Sequence, residues 1–256
     1  MFKYLYHFTY QQAFACIFPA SIFLILALSN LISIPGLYRY DFILILCIVV
    51  QFLMIITGLE TKAELKVILF FHIIGLMLEL FKVQMGSWSY PEPAWSKFYG
   101  VPLYSGFMYA SVASYLCLAW KRLDVKLVAW PNRLITGLTG LVIYINFFTH
   151  HYIYDLRWLL IIVLTWCFRK SVVHFFVHNK WFKMPILLSF VLIGFFIWIA
   201  ENIATFFGAW KYPNQSISWE IVDMAKISSW SLLIIVSFLI VAQRKQLTKA
   251  PIKKAS

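Results

Sequence analysis

Eight long apolar segments constrain this chain more than any other feature of its sequence. A helix needs about 20 apolar residues to cross the hydrocarbon core of a bilayer. Stretches that approach this length cover residues 12–34, 42–59, 65–84, 103–120, 134–149, 156–173, 185–207 and 222–242. Turn-forming residues such as Pro35-Gly36 and Pro91-Glu92-Pro93 lie between them. The segments predict an all-α fold, a polytopic transmembrane helical bundle of about eight spans.

The composition excludes a water-soluble domain. The chain is 62% hydrophobic and 12% charged, whereas soluble domains carry about 25% charged residues. We therefore expect one membrane domain over residues 1–256, with the lipid bilayer as its main partner. The net charge of +12 lies in short runs between the apolar segments, a pattern of cytoplasmic loops rather than of nucleic-acid binding.

The basic residues are distributed unequally between alternate loops. One set consists of the N-terminus, the loops at 60–66, 121–133 and 169–183, and a basic tail at 243–256. It carries 16 of the 22 Lys and Arg residues, all except Arg39, Lys82, Lys97, Arg157, Lys211 and Lys226. Because cytoplasmic loops are enriched in Lys and Arg, both termini are predicted to be cytoplasmic.

Two segments of the chain match each other at a fixed offset. Residues 79–91 read ELFKVQMGSWSYP and residues 201–213 read ENIATFFGAWKYP. Glu, Gly, Trp, Tyr and Pro recur 122 residues apart, each time where an apolar segment ends. The match predicts an internal four-plus-four repeat, with units at about 12–120 and 134–242. Since four spans is an even number, the two units share one orientation and form a parallel repeat.

The repeat contains the best candidates for acid–base chemistry. Glu79 and Glu201 lie within apolar segments, seven residues before the repeated glycine. A carboxyl group inside a span is costly, so it indicates a function or a hydrogen-bonded partner. Both readings stay open, and Lys82 offers Glu79 an ion pair one helical turn away. Outside the repeat, Asp223 and Lys226 have the same spacing for an ion pair.

The repeated loops and a neighbouring histidine pair complete the candidate site. Aromatic residues of the loops are expected to line a cavity for an apolar, lipid-like or cationic ligand. Asn146, His150 and His151 end the fifth segment on the same side and join the glutamates as candidate catalytic residues. The ligand-binding candidates are Trp88, Tyr90, Trp210 and Tyr212. His174 and His178 are expected on an interfacial helix, no metal site is predicted, and any cofactor is unknown.

Four sequence segments resemble a known family. The segments are WSYPEP, GVPLYSGFMYASVASY (100–115), NFFTHHY and AENIATFFGAWKYPNQ. They resemble the YoaT-like family of uncharacterised bacterial integral membrane proteins over about residues 60–242. The resemblance implies a bacterial multi-pass protein of the cell membrane and supplies no catalytic residues. The Gly86-x-Trp88-x-Tyr90 spacing is also similar to that of the membrane-integral lycopene cyclases, but Tyr104 and Ser105 replace their paired glutamates.

Three functions are compatible with these features. The first is an intramembrane enzyme that acts on an isoprenoid, quinone or other lipid through the paired glutamates. The second is a transporter or permease of a small solute. The third is a structural or sensory membrane protein whose carboxylates only hold helices together.

Overall fold

Helices occupy all eight predicted segments, and one further helix precedes them. The computed structural model describes residues 2–248, so the end of the predicted basic tail, residues 249–256, lies outside the described part. The helices of this part are α1 (Phe2–Ala15), α2 (Ile17–Leu31), α3 (Arg39–Ile56), α4 (Lys62–Gln84), α5 (Ser105–Arg122), α6 (Arg133–Thr149), α7 (Arg157–Phe168), α8 (Ile186–Phe206) and α9 (Lys226–Thr248). A short 3-10 helix covers Pro213–Gln215.

Fewer helices than predicted are long and apolar enough to cross a membrane. Within residues 2–248, helices α3, α4, α8 and α9 meet both conditions. Helices α1 and α2 meet them only as a pair, and they are bent by 62° with respect to each other. Helices α6 and α7 have 17 and 12 residues and are too short to meet the length condition. Helix α7 ends at Phe168 because the chain turns at Arg169 and Lys170. The structure thus supports four or five spans, and the prediction of about eight is not confirmed.

Two small antiparallel sheets show that the chain is not purely helical. Strands β1 (Lys97–Phe98) and β2 (Val101–Pro102) pair with each other. Strands β3 (Lys126–Val128), β4 (Val172–Val177) and β5 (Lys180–Pro185) form a second sheet in that order.

The predicted interfacial helix that holds His174 and His178 is therefore wrong. The segment Val-Val-His-Phe-Phe-Val of β4 is rich in β-branched and aromatic residues, which favour strands. His178 and Asn179 form the two-residue turn between β4 and β5, with φ angles of +46° and +62°. Positive φ at both central residues is the backbone of a type I′ hairpin turn.

The loops gather at two ends of the bundle. At one end, the ring of Tyr4 in α1 lies 5.4 Å from that of Phe182 in the sheet. At the opposite end, Asn30 Nδ2 donates to the carbonyl oxygen of Phe207, at 3.1 Å. We call the end with Tyr4 and Phe182 the sheet end, and the end with Asn30 and Phe207 the cleft end. The repeated Gly-x-Trp-x-Tyr-Pro segments lie at the cleft end.

The helices that lead into the two segments each pack closely against a partner. A Cβ atom on Gly75 of α4 would lie 2.4 Å from the ring of Tyr109 in α5. A Cβ atom on Gly194 of α8 would lie 2.2 Å from Oγ of Ser231 in α9. Because a larger residue would clash at either position, these glycines allow α4–α5 and α8–α9 to pack side by side.

Helices α4 and α8 end in the same way. Gly86 and Gly208 follow them with φ angles of +68° and +70°. The N–H of the next residue then donates to the carbonyl of the residue five positions earlier, at 2.9 Å after Gly86 and 3.0 Å after Gly208. This is the Schellman arrangement, which satisfies carbonyl groups at a helix end and favours glycine.

Candidate functional site

The two repeated segments pair with each other at the cleft end. The N–H of Ser89 donates to the carbonyl of Lys211, and the N–H of Lys211 donates to the carbonyl of Ser89, both at 2.9 Å. These two residues form an isolated antiparallel bridge. The bridge fixes the tryptophans and tyrosines on either side of it with respect to each other.

Glu79 binds the first segment from within α4. Its Oε2 accepts hydrogen bonds from Trp88 Nε1 and from the Tyr90 hydroxyl, each at 2.7 Å. Its Oε1 accepts a third from the Tyr109 hydroxyl of α5, also at 2.7 Å. The side chain is buried. Three donors on one carboxylate hold the segment and α5 against the end of α4.

Glu201 makes a related set of hydrogen bonds from within α8. Its carboxylate accepts from the Tyr212 hydroxyl, which stands eleven residues later, as Tyr90 does relative to Glu79. The second donor is the indole N–H of Trp230 in α9. Burial raises the pKa of Tyr212, and the charge of Glu201 raises it further, so the hydroxyl stays protonated and remains a donor.

A cleft opens between α4, α6 and α9 at this end, with about 690 Å³ of empty space including its open mouth. Four of the five side chains that donate hydrogen bonds to the two glutamates form its aromatic wall. The members of this wall are Trp88, Tyr109, Tyr212 and Trp230. Glu79 and Glu201 are not lining residues, so they stand behind the wall that they hold in place.

Three basic side chains and one acidic side chain also line the cleft: Lys82, Arg157, Lys226 and Asp155. Arg157 Nη2 and Asp155 Oδ2 form an ion pair at 3.0 Å. Lys226 Nζ lies 4.6 Å from the centroid of the Tyr212 ring and 6.0 Å from that of Trp88. No ion pair joins Lys226 to Asp223 in the described part of the chain, contrary to the ion pair considered from the sequence.

Lys82 contacts the histidine pair instead of Glu79. Its Nζ lies 3.2 Å from His150 Nε2 and 3.0 Å from His151 Nε2. His150 Nδ1 lies 3.0 Å from the carbonyl oxygen of Asn146, which can only accept, so Nδ1 carries the proton and Nε2 accepts from Lys82. Burial lowers the pKa of both histidines, and the charge of Lys82 lowers it further. Both rings are therefore neutral near pH 7.

Asn146 organises the loop that follows α6. Its Nδ2 donates to Asp155 Oδ1 at 3.1 Å, and its Oδ1 accepts from the N–H of Leu156 at 3.1 Å. Burial alone would raise the pKa of Asp155, but the hydrogen bonds from Asn146 and the Arg157 backbone, together with the Arg157 charge, lower it. Asp155 is thus ionised and holds Arg157 at the edge of the cleft.

The structure places most of the predicted site residues around this one cleft. Asn146, His150, Trp88 and Tyr212 line it. Glu79, Glu201 and Tyr90 lie behind it, and His151 reaches it through Lys82. Trp210 is half-buried and is not among the lining residues.

Sequence reasoning missed several side chains that line the cleft: Lys82, Tyr109, Asp155, Arg157, Lys226 and Trp230. Trp230 takes the place beside Glu201 that Trp88 has beside Glu79, although Trp210 is the repeat partner of Trp88. One signal in the sequence pointed to three of the missed side chains. Lys82, Arg157 and Lys226 are basic residues on the side of the bundle whose loops otherwise carry few Lys and Arg residues. Within residues 2–248, no three His, Cys, Asp or Glu side chains group as metal ligands.

Comparison with known proteins gives the family of the chain. A family model described as a protein of unknown function (DUF817) matches residues 4–238. A protein of Bacillus subtilis (strain 168), "Uncharacterized protein YoaT", is 57% identical over 253 residues, which is 99% of this chain and 96% of that protein. No solved structure matches the chain, and the similarity to the lycopene cyclases is not confirmed. The chain belongs to the DUF817 family, and the match covers the whole chain except residues 1–3 and 239–256.

Proposed function

We propose that the protein is a multi-pass bacterial cell-membrane protein whose cleft binds the anionic group of a small membrane-borne molecule. Four or five helices have the length and apolar composition of spans. The sheet end carries most of the basic residues, so it faces the cytoplasm in this proposal and the cleft end faces outward. The start of α1 and the described end of α9 then both lie towards the cytoplasmic side.

The proposal includes an ancestral duplication of a four-segment unit. It is supported by the offset of 122 residues between the matching segments, by the two equal helix ends after α4 and α8, and by the reciprocal bonds of Ser89 and Lys211. The cleft lies where the two copies meet. A duplicated unit with its site at the repeat interface is a known arrangement among membrane proteins.

The observation that carries the binding proposal is the charge of the cleft lining. The ion pair with Asp155 compensates Arg157, whereas Lys82 contacts neutral histidines and Lys226 contacts aromatic rings, with Glu201 and Asp223 attracting Lys226 from outside the lining. Two ammonium groups therefore face a cleft in which no second acidic residue is a lining group. They attract an anion, and the cation predicted as one alternative from the sequence is disfavoured by the same charges.

Within this proposal the glutamates are positioning residues and His150 is the acid–base candidate. The oxygens of Glu79 and Glu201 already accept five hydrogen bonds between them, from Trp88, Tyr90, Tyr109, Tyr212 and Trp230. His150 lines the cleft, is neutral and has its Nε2 lone pair directed at Lys82. A Lys–His contact of this kind can transfer a proton to or from a bound molecule, as an enzyme requires.

A binding experiment with defined amphiphiles tests the proposal. Purified protein in nanodiscs of zwitterionic phosphatidylcholine is titrated with radiolabelled dodecyl phosphate, and dodecanol and dodecyltrimethylammonium serve as competitors. We expect saturable binding of the phosphate that neither the alcohol nor the cation displaces. Equal displacement by dodecyltrimethylammonium would overturn the assignment of an anionic ligand.

Two lysine variants at the cleft end localise the binding. Lys226→Gln removes a charge from the cleft and is expected to weaken dodecyl phosphate binding about tenfold or more, since hydrogen bonds to charged groups contribute about 1.5–3 kcal/mol. Lys211→Gln removes a charge at the same end, at a residue outside the lining, and is expected to leave the affinity unchanged. Equal losses in both variants would show that the phosphate responds only to the overall charge.

A further inference from the structure

A second, smaller groove continues the cleft towards the middle of the bundle. The groove is narrow: it has about 270 Å³ of empty space including its open side, but little of this admits a water molecule, so a bound chain has to displace the flexible side chains that line it. Leu78, Tyr109 and Leu233 line both the cleft and the groove, so the two spaces meet at these side chains. The Tyr109 ring at this neck is fixed by its hydrogen bond to Glu79 and by its contact with Gly75.

The two spaces together follow one face of α4 and one face of α9. On α4 the lining residues are Lys82, Leu78, Gly75, Ile74 and Phe71. On α9 they are Lys226, Ser229, Trp230, Leu232, Leu233, Val236 and Ser237. Spacings of three and four residues keep such sets on one side of a helix. From Lys82 to Phe71 the path is about 16 Å long, at 1.5 Å rise per residue.

The chemistry of this path changes along its length. Its mouth carries the ammonium groups, and its inner part is lined by aliphatic and aromatic side chains. The hydroxyl groups of the inner part already donate within the protein: Tyr144 to the Ile74 carbonyl at 3.1 Å and Ser237 to the Leu233 carbonyl at 2.9 Å. A polar ligand segment would find no free donor there, so the inner part suits hydrocarbon.

We infer that the ligand of the cleft is a single-chain anionic amphiphile, whose head group binds at Lys82 and Lys226 and whose hydrocarbon chain lies in the groove between α4 and α9. This inference rests on the proposed function and adds the class of ligand and the position of its chain. The head remains at the level of the outer loops while the chain runs towards the membrane middle. An amphiphile keeps the same orientation in a bilayer, so it can enter through the open side of the groove without turning over.

Photolabelling tests where the chain lies. Dodecyl phosphate that carries a diazirine near the end of its chain is added to the full-length protein in phosphatidylcholine nanodiscs and irradiated, and the labelled peptides are identified by mass spectrometry. We expect labels within residues 71–78 and 233–237, and their loss when excess unlabelled dodecyl phosphate is present. Labels confined to lipid-facing positions such as Leu138 and Leu192 would overturn the inference.

A blocking variant adds an independent test. Leu233→Trp fills the neck and is expected to abolish labelling of residues 71–78. The matched control is Leu138→Trp, at a position of α6 that is 52% exposed, and we expect it to label like the unchanged protein. Full labelling of residues 71–78 in Leu233→Trp would contradict a path through the neck. If this variant does not fold, the positions labelled in the unchanged protein decide whether the chain lies in the groove.

The outcomes separate the two proposals. If dodecyl phosphate shows no saturable, charge-selective binding, the proposed function itself fails. If such binding is present but its labels lie outside the groove, the anionic site stands and the position of the chain is wrong.

Discussion

Ser89 and Lys211 donate their backbone N–H groups to each other's carbonyl oxygens, both at 2.9 Å, although they stand 122 positions apart in the chain. They occupy the same position in the two matching segments. A reciprocal contact between equivalent residues is what a local two-fold axis produces, as in isologous dimers. The bridge holds the two aromatic segments together at the mouth of the cleft.

Proline at either bridge position is expected to destabilise the protein, because it removes the N–H donor. Ser89→Pro and Lys211→Pro should each lower the free energy of unfolding by about 0.5–1.5 kcal/mol, the net contribution of the lost backbone hydrogen bond. Ser89→Ala and Lys211→Ala keep the backbone donors and should change it little. Thermal unfolding of the purified proteins in detergent measures the difference, and alanine variants as unstable as the proline variants would contradict a backbone role.

Alanine at the two helix-ending glycines is expected to cost similar amounts. Gly86→Ala and Gly208→Ala place a side chain at φ near +70°, which disfavours L-residues by about 1–2 kcal/mol. Gly137→Ala is the control, since that glycine lies inside α6 and an added Cβ would be 3.6 Å from Gln243, an ordinary contact. It should be neutral or slightly stabilising by helix propensity. The three melting temperatures check this, and an effect at only one of Gly86 and Gly208 would argue against equivalent roles.

Glutamine at position 79 or 201 is expected to be tolerated much better than alanine. The amide oxygen of Gln can still accept from Trp88 or Trp230, and its NH₂ group can donate to a tyrosine hydroxyl, so we expect a loss of about 1 kcal/mol. Alanine leaves the tryptophan and tyrosine donors unpaired and opens a cavity, for which we expect about 3–5 kcal/mol.

Dodecyl phosphate binding to the same variants separates positioning from direct participation. If the glutamates only hold the aromatic wall, Glu79→Gln and Glu201→Gln should bind within about threefold of the unchanged protein, as expected for a change below 1 kcal/mol at the cleft. Complete loss of binding in a glutamine variant that folds with an unchanged melting temperature would assign the carboxylate itself to the ligand.

Acidification is expected to destabilise the protein through the histidine pair. Burial lowers the pKa of His150 and His151, so the unfolded chain binds protons more readily than the folded protein. The groups that face these rings are Lys82, Asp155, Arg157 and Lys226. The stability that the histidine pair contributes should therefore fall as pH decreases below about 6.5, the ordinary histidine pKa.

Melting temperatures measured between about pH 8 and pH 5 bracket that pKa and test the direction of the effect. On acidification, the melting temperature of the unchanged protein should fall relative to that of the double variant His150→Gln, His151→Gln, whereas its difference from that of His174→Gln, in the sheet at the opposite end, should stay constant. Asp155 does not contribute in this range: its lowered pKa means that its stabilisation is lost only in more acidic solution, below about pH 4. A double variant whose melting temperature changes with pH in the same way as that of the unchanged protein would contradict the assignment.

Helix positions could be predicted well because they depend on local composition. The segment predicted at 185–207 is the helix Ile186–Phe206, and the one at 65–84 ends at Gln84 as predicted. A glycine follows the end of each of these helices, and such a helix-ending glycine can be recognised from the few residues around it. The hairpin at β4 and β5 was missed because Lys170, His174 and His178 recur every four residues, a spacing that places them on one face of an amphipathic helix.

The sequence by itself determined the apolar helices, the glycines that end α4 and α8, and the presence of a carboxyl group within each of them. These features are local: hydrophobic length, backbone conformation and the cost of a charge among apolar residues act within one segment. Only the tertiary structure decided the partners of the polar groups. Lys82 is one helical turn from Glu79 in sequence, yet it contacts His150 and His151, because three aromatic donors from elsewhere in the chain occupy the carboxylate. Those donors depend on how α4, α5 and the paired segments pack, and packing of distant segments is what spacing in the sequence does not specify.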